Sequence, residues 1–392
     1  MLLFQSILEV VFWVFLVSVF YSYIGYPILV WCLARGIGRT AHHGAPDEEG
    51  LPTLSLLIAA HNEEAVIESR IRNALAIDYP DDKLEIVIAS DGSSDATAEI
   101  VGRFARRGVR LLDYYQRRGK AAVLNAAFAE LKGEIVVLSD ANTHIDPGAV
   151  RELVRRFQDP WVGVVCGRLV LTDPETGRNA DGLYWKYETF LKECEGRLEA
   201  LSGANGGFYA IRKHLFVPIP PSTIVDDLVI PLQARLRTGC GVVYEYHAVA
   251  HEETAPDVIS EFHRRSRIGA GGFQSIGLLR GLLHPRQGWI AFTFFSHKIC
   301  RWLCPFFLLG MLASNLLLWE LPLYQYCLLG QLGFYLVSML VGFLPDRLKR
   351  LKPLLLTTMF TSMNAALLVG FCRWMTGSQK AVWKRTARLA EA

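Results

Sequence analysis

The chain has 392 residues, 51% of them hydrophobic and 20% charged, with a net charge of +3. This is more apolar material than a soluble domain needs, so part of the chain is expected in a lipid bilayer. The small charge argues against a nucleic-acid partner, and eight cysteines without a C-x-x-C pair suggest neither a zinc site nor a disulfide framework.

Leu2 to Leu33 carries one charge, Glu9, and is long enough to span a hydrocarbon core of about 30 Å. The run is too long for a cleaved signal peptide, and Arg35 and Arg39 after it place the next domain in the cytoplasm by the positive-inside rule. The polar, Gly- and Pro-bearing stretch from Ala41 to Pro52 reads as a linker.

Leu54 to Ala60 reads as a strand, and His61-Asn62-Glu63-Glu64 opens a helical pattern ending near Tyr79-Pro80. Leu84 to Ser90 is the next strand, and Asp91-Gly92-Ser93-Ser94-Asp95 is a turn in which Ser94 or Asp95 can cap a helix through Ala105. Val109 to Tyr114 is a third strand, Lys120 to Leu131 a helix, and Glu134 to Ser139 a fourth strand of buried type. This alternation predicts an open, mostly parallel α/β sheet. Such sheets bind ligands at the carboxyl ends of their strands, where Asp140 and Asn142 fall. Read alone, the D-x-N is either a plain turn or a pair of oxygen ligands for one hard cation.

Beyond it, helices are expected over Pro147 to Phe157, Tyr184 to Glu199 and Asp226 to Arg237, and strands over Val162 to Leu171 and Val242 to Ala250. Ser202-Gly203-Ala204-Asn205-Gly206-Gly207 is too glycine-rich for a helix interior; it is a loop open to close approach by a ligand, or a plain connection. Three uncharged runs follow, Trp302 to Trp319, Leu321 to Pro345 and Pro353 to Cys372. Basic residues flank the first two on the side expected to be cytoplasmic. The third conflicts with the charge rule, because a full crossing would put Arg373, Lys380, Lys384, Arg385 and Arg388 outside; its Thr357, Thr358, Thr361, Ser362 and Asn364 leave a re-entrant or interfacial segment equally open. The expected organisation is an N-terminal transmembrane helix (1–34), a linker (35–52), a cytoplasmic catalytic domain (53–285), a C-terminal membrane region (286–375) and a basic tail (376–392).

Asp91, Asp140, Asn142 and Asp227 all fall at strand ends, loops or helix starts. Buried carboxylates need partners, and a divalent cation with a nucleotide diphosphate would supply them. Arg118, Lys120, Arg264 and Arg267 could neutralise the phosphates. These residues, with Ala60-His61-Asn62-Glu63, Gly119-Lys120 with Asn125, the glycine-rich loop and Asp226-Asp227-Leu228, give the chain its resemblance from about Pro52 onward. It resembles the membrane-bound family 2 glycosyltransferases of the cellulose, hyaluronan and poly-N-acetylglucosamine synthase type.

The resemblance implies a GT-A-type nucleotide-sugar-binding domain inserted between transmembrane helices of a multi-pass cell-membrane protein. Its nucleotide-sugar donor, a UDP-sugar, would meet Ala60, Asn62, Glu63, Asp91, Ser93, Lys120, Asp140, Arg264 and Arg267. Asp140 and Asn142 would hold Mg²⁺ or Mn²⁺, and Gly203, Asn205, Gly206 and Asp226 would line the acceptor. Asp227 would be the general base of one inverting displacement. The acceptor would be a growing polysaccharide or, alternatively, a polyprenyl phosphate or glycolipid that receives a single sugar, with any export partner left open. Two positions depart from the family pattern: Asn142 replaces the second Asp of D-x-D, and Q-x-x-R-W reads Arg264-Arg265-Ser266-Arg267-Ile268, without the Trp that stacks on the acceptor sugar.

Overall fold

Leu54–Ala60 (β1) is buried at every residue, as a strand covered on both faces must be. In the computed structural model, which describes residues 2–39, 50–173, 179, 182–253, 258–349 and 351–381, its side chains alternate between two cores. Leu54, Leu56, Ile58 and Ala60 enter one core; Leu57 and Ala59 enter the other. The period of two distributes a continuous apolar run over both faces of the sheet. The helix Ile67–Ala74 closes the first core through Ile67, Ile71 and Ala74. The helices Lys120–Glu130 and Asp226–Thr238 close the second, the former through Val123, Leu124 and Ala127.

The remaining strands are Leu84–Asp91 (β2), Val109–Tyr114 (β3), Ile135–Asp140 (β4), Thr143–Ile145 (β5), Val162–Thr172 (β6), Phe208–Arg212 (β7) and Gly241–Glu253 (β8). They form one sheet in the order β3-β2-β1-β4-β7-β6-β8-β5. β3, β2, β1 and β4 run parallel. The sheet beyond β4 is mixed rather than mostly parallel: β7 enters antiparallel to both β4 and β6, and β5 is antiparallel to β8, while β6 and β8 are parallel. The chain builds β2 and β3 on one side of β1 and then crosses to β4 on the other. The carboxyl ends of β1, β2 and β4 therefore converge at the point where the winding reverses, where open α/β sheets hold their ligands.

Two local expectations change. Residues 61–66 form a turn before the helix begins at Ile67, because Asn62 takes a left-handed conformation (φ 56°) that asparagine tolerates and a helix does not. β8 runs on to Glu253, three residues past its expected end at Ala250.

The α/β unit comprises Val30–Pro256, Gln274–Phe294 and Lys380–Ala392; a second, helical unit comprises Met1–Leu29, Asp257–Phe273 and Phe295–Gln379. Among the described residues, four helical segments are long and apolar enough to cross a membrane: Leu3–Gly36, Trp289–Leu317, Pro322–Phe343 and Lys352–Met375. Within the helical unit Gly310 lies against Phe15, and Gly370 against the backbone of Ser266 and Ala270, the close approach that small residues permit between helices. The segment left open by the sequence is one unbroken helix, Lys352–Met375. The Thr357 and Thr358 hydroxyls donate to Leu354 O, and the Asn364 amide donates to Phe360 O and Tyr23 Oη. These groups are bonded without breaking the helix, while the Thr361 hydroxyl and the Asn364 carbonyl oxygen are buried with no hydrogen-bond partner among the described residues. Most of the expected linker (residues 40–49) and of the basic tail (382–392, with Lys384, Arg385 and Arg388) lies outside the described residues.

Candidate active site

Lys120 opens the helix that follows β3, and its ammonium joins the ends of two other elements. Nζ lies 2.8 Å from Asp140 Oδ1 at the tip of β4 and 3.3 Å from Asp226 Oδ2 at the start of the helix Asp226–Thr238. Burial alone would lower the proton affinity of Lys120; Asp140 and then Asp226 outweigh it and hold the ammonium above the ordinary lysine range. One cation thus bridges the D-x-N edge and the acidic pair. Asp226 and Asp227 also sit in the first turn of their helix, where a negative charge is favoured.

Asp227 differs from its neighbour. Burial and then the adjacent Asp226 push its carboxyl above the usual carboxylate range, while Lys120 and Lys192 pull it back. Its Oδ2 faces Gly206, where a Cβ would come within 3.1 Å, so the glycine keeps this face of the carboxylate open. The loop is fixed to that helix by Ala204 N–H donating to Asp227 O, at 3.1 Å. A half-buried carboxylate with raised proton affinity and one open side can accept a proton.

Other expected residues shape the site. Asp91 is fully buried, and its two oxygens accept from the backbone N–H of Arg118 (2.6 Å) and Gly119 (2.9 Å). It sets the loop from which Lys120 projects. Asn62 Oδ1 accepts from Ser94 N–H at 2.8 Å, and Ser93 Oγ accepts from Asn62 N–H at 3.2 Å. This interlocks the β1 and β2 loops. Glu63 is buried and its N–H donates to Thr97 Oγ1 at 2.8 Å, whereas the Ala60 side chain points into the core, leaving only its backbone for a ligand. Asn205, placed by the resemblance at the acceptor, donates to Gly167 O at 2.8 Å and accepts from Lys192 Nζ, which holds the glycine loop through Gly203 and Gly206 in place. Asn142 Nδ2 donates to Glu252 Oε1 at 3.3 Å. Arg264 and Arg267 lie in the helical unit on the helix Val258–Leu278, where Arg264 and Arg265 both reach Glu261.

Arg70, Lys192, Tyr209 and Glu252 are at or under the site and were not singled out by the sequence. Arg70 is fully buried; its Nε donates to Asp140 O (3.3 Å), Nη2 to Ser139 Oγ (3.1 Å) and Nη1 to Asn73 Oδ1 (2.9 Å). Burial pulls its guanidinium down to about 9, with Asp140 opposing. An arginine in the short segment before β2 reads from sequence as surface charge. Lys192 was legible in principle, since Glu188, Leu191 and Glu195 mark the buried face of its helix. The Tyr209 hydroxyl is buried with no hydrogen-bond partner among the described residues, and burial, Asp226 and Asp227 raise its proton affinity.

The donor set at the D-x-N edge is oxygen only, and no group of three His, Cys, Asp or Glu is gathered for a metal among the described residues. The Thr143 hydroxyl beside it is buried and has no partner. One carboxylate, an amide and an orphaned hydroxyl fit a hard cation that completes its shell with phosphate oxygens and water.

Comparison with known proteins gives this geometry a relationship. Residues 55–216 match the family model described as glycosyl transferase family 2. The poly-beta-1,6-N-acetyl-D-glucosamine synthase of Staphylococcus aureus is 29% identical over 237 residues, covering 57% of this chain and 55% of that protein. The beta-monoglucosyldiacylglycerol synthase of Trichormus variabilis is 27% identical over 251 residues, covering 60% of this chain and 52% of that protein. The chain thus matches about half the length of these curated relatives. Among solved structures, the mannosyltransferase PcManGT from Pyrobaculum calidifontis, in complex with GDP-Man and Mn²⁺, superposes with a TM-score of 0.68 at 21% identity, covering 94% of this chain and 99% of that one. The fold is therefore that of a GT-A-type glycosyltransferase flanked by apolar helices.

Proposed function

Because this chain carries a family 2 glycosyltransferase domain similar to that of the poly-N-acetylglucosamine synthases, we propose that it transfers a sugar, with inversion, from a nucleotide diphosphate sugar to a growing polysaccharide at the cytoplasmic face of the membrane. The observation that carries this reading is the convergence of Lys120, Asp140, Asp226 and Asp227 at the carboxyl ends of the sheet, with Gly206 leaving Asp227 open.

Asp227 takes the proton of the acceptor hydroxyl as that oxygen forms its bond to the anomeric carbon. The bond from that carbon to the diphosphate breaks, and the nucleoside diphosphate leaves with the bonding electrons. Lys120 places a positive charge where charge develops on the leaving group, and the Asp91-bound loop fixes it there. Asp140 and Asn142 would hold a divalent cation, which when bound neutralises the diphosphate as a Lewis acid. The Asn62–Ser94 and Glu63–Thr97 contacts hold the rim on which the nucleoside would lie.

A second reading is transfer of a single sugar to a lipid acceptor. It is favoured by the similarity to a glycolipid synthase at nearly the same identity and by Ile268 at the position of the acceptor-stacking tryptophan. Both readings are tested by supplying the purified protein in lipid with labelled UDP-GlcNAc, UDP-glucose or GDP-mannose, with Mg²⁺ or Mn²⁺, and sizing the product. A ladder or high polymer supports the first reading, and a single sugar on lipid the second. No transfer from any donor with either metal would overturn both.

A further inference from the structure

The replacement of the second Asp of D-x-D by Asn142 removes a negative charge from the edge where a diphosphate-bound cation would be held. The structure brings another carboxylate there. Glu252, near the carboxyl end of β8, is paired in register with Thr143 of β5, and its Oε1 accepts from the Asn142 amide at 3.3 Å. We propose that Glu252 supplies the second carboxylate of the cation site begun by Asp140, with the Asn142 amide and the Thr143 hydroxyl between them. This rests on the nucleotide-sugar reading above.

The hydrogen bond from Asn142 would by itself describe an ordinary strand-edge contact. Three further features point to a ligand. First, the other carboxylate oxygen, Oε2, does not face Asn142 alone: it lies 3.6 Å from the point where a Cβ would stand at Gly207. The Thr143 Oγ1 lies 2.7 Å from the same point, so an oxygen of each side chain packs about Gly207. Second, Thr143 is fully buried and its hydroxyl has no hydrogen-bond partner among the described residues, a state that is costly unless something fills it. Third, Gly207 is held in position from the other side, its carbonyl accepting from Ser139 Oγ at 2.8 Å one residue before Asp140.

The chemistry of the set is consistent. With its NH₂ group on Glu252, the Asn142 amide has its carbonyl oxygen as the end suited to a cation. Carboxylate, amide carbonyl and hydroxyl oxygens are ligands of Mg²⁺ and Mn²⁺ rather than of softer metals. The negative charge that this chain lacks at position 142 thus comes from a neighbouring strand.

The test uses the full-length protein in lipid nanodiscs and reads Mn²⁺ binding by electron paramagnetic resonance at saturating UDP, with UDP binding in EDTA measured in parallel. Glu252→Gln keeps the side-chain shape, and N142D/E252Q moves the carboxylate to the position from which it is missing. The expected result is that E252Q weakens Mn²⁺ binding about tenfold or more while metal-free UDP binding is unchanged, and that the double variant restores Mn²⁺ binding. Wild-type affinity in E252Q, or parallel loss of metal-free UDP binding without rescue in N142D/E252Q, overturns the assignment. Absence of Mn²⁺ binding by the wild type with UDP and with GDP would instead overturn the nucleotide-sugar reading on which it rests.

Discussion

Asp226 and Asp227 are neighbours in different surroundings, and the roles proposed for them follow from what each touches. Asp226 shares Lys120 with Asp140. Asp227 is drawn toward its protonated form by burial and by Asp226. A base must be unprotonated to act, so transfer should fall as pH drops through a value above the ordinary carboxylate range. Asp226→Asn removes one cause of the shift and should move the acid limb of the kcat profile to lower pH. The same shift has a cost in stability. A carboxyl whose folded pKa is raised destabilises the fold once pH rises through that value, and the penalty is absent where it is protonated in both states. Asp227→Asn should therefore melt higher than wild type near neutral pH, with the advantage vanishing in acid. A melting curve at two pH values checks this. Asp140, Asn142 and the acidic pair were legible as residues because each stands where an apolar or glycine-rich pattern stops. Their contacts were less legible: that Asp91 and Asn205 hold loops is seen only from the backbone that returns to them.

At the scale of elements, β1 to β4 could be read from the sequence because parallel strands buried on both faces are continuous apolar runs with turn signals between them. The antiparallel entry of β7 and the extension of β8 could not, since both depend on pairing with strands distant in the sequence. Ending β8 at Ala250 left Glu252 outside any element, which is why it was missed. Beneath these strands, Arg70 and Asn73 act as a clamp on the β4–β5 connection. Asn73 exchanges hydrogen bonds with Ile145, at 2.9 Å each way, while Arg70 holds Asp140 O and Ser139. Lysine cannot span these partners. Arg70→Lys should cost about 1–3 kcal/mol by leaving buried acceptors unsatisfied, and should weaken nucleotide binding because Asp140 is no longer fixed. Denaturant unfolding and UDP titration on the same variant give both readouts.

At the scale of the whole molecule, the charge conflict in the C-terminal region has a geometric counterpart. Ala381, a few residues after the helix Lys352–Met375, lies with its carbonyl 3.9 Å from the Cβ position at Gly119, inside the α/β unit. If Trp289–Leu317 and Pro322–Phe343 both cross the membrane, an interfacial third helix would leave the following chain on the side from which that helix starts, and a full crossing would put it on the opposite one. Single cysteines introduced in a Cys32→Ser/Cys372→Ser background test this. A membrane-impermeant thiol reagent should label Tyr115→Cys and Ser378→Cys from the same face, and Glu320→Cys from the opposite one. Labelling of Ser378→Cys with Glu320→Cys would mean that the third helix crosses. The organisation of the molecule around one proton acceptor is tested most directly by comparing wild type and Asp227→Asn for donor binding and for sugar transfer in lipid nanodiscs. The variant should bind the donor nucleotide as wild type does and transfer sugar about 10²–10⁴-fold more slowly. Transfer at the wild-type rate would contradict the account.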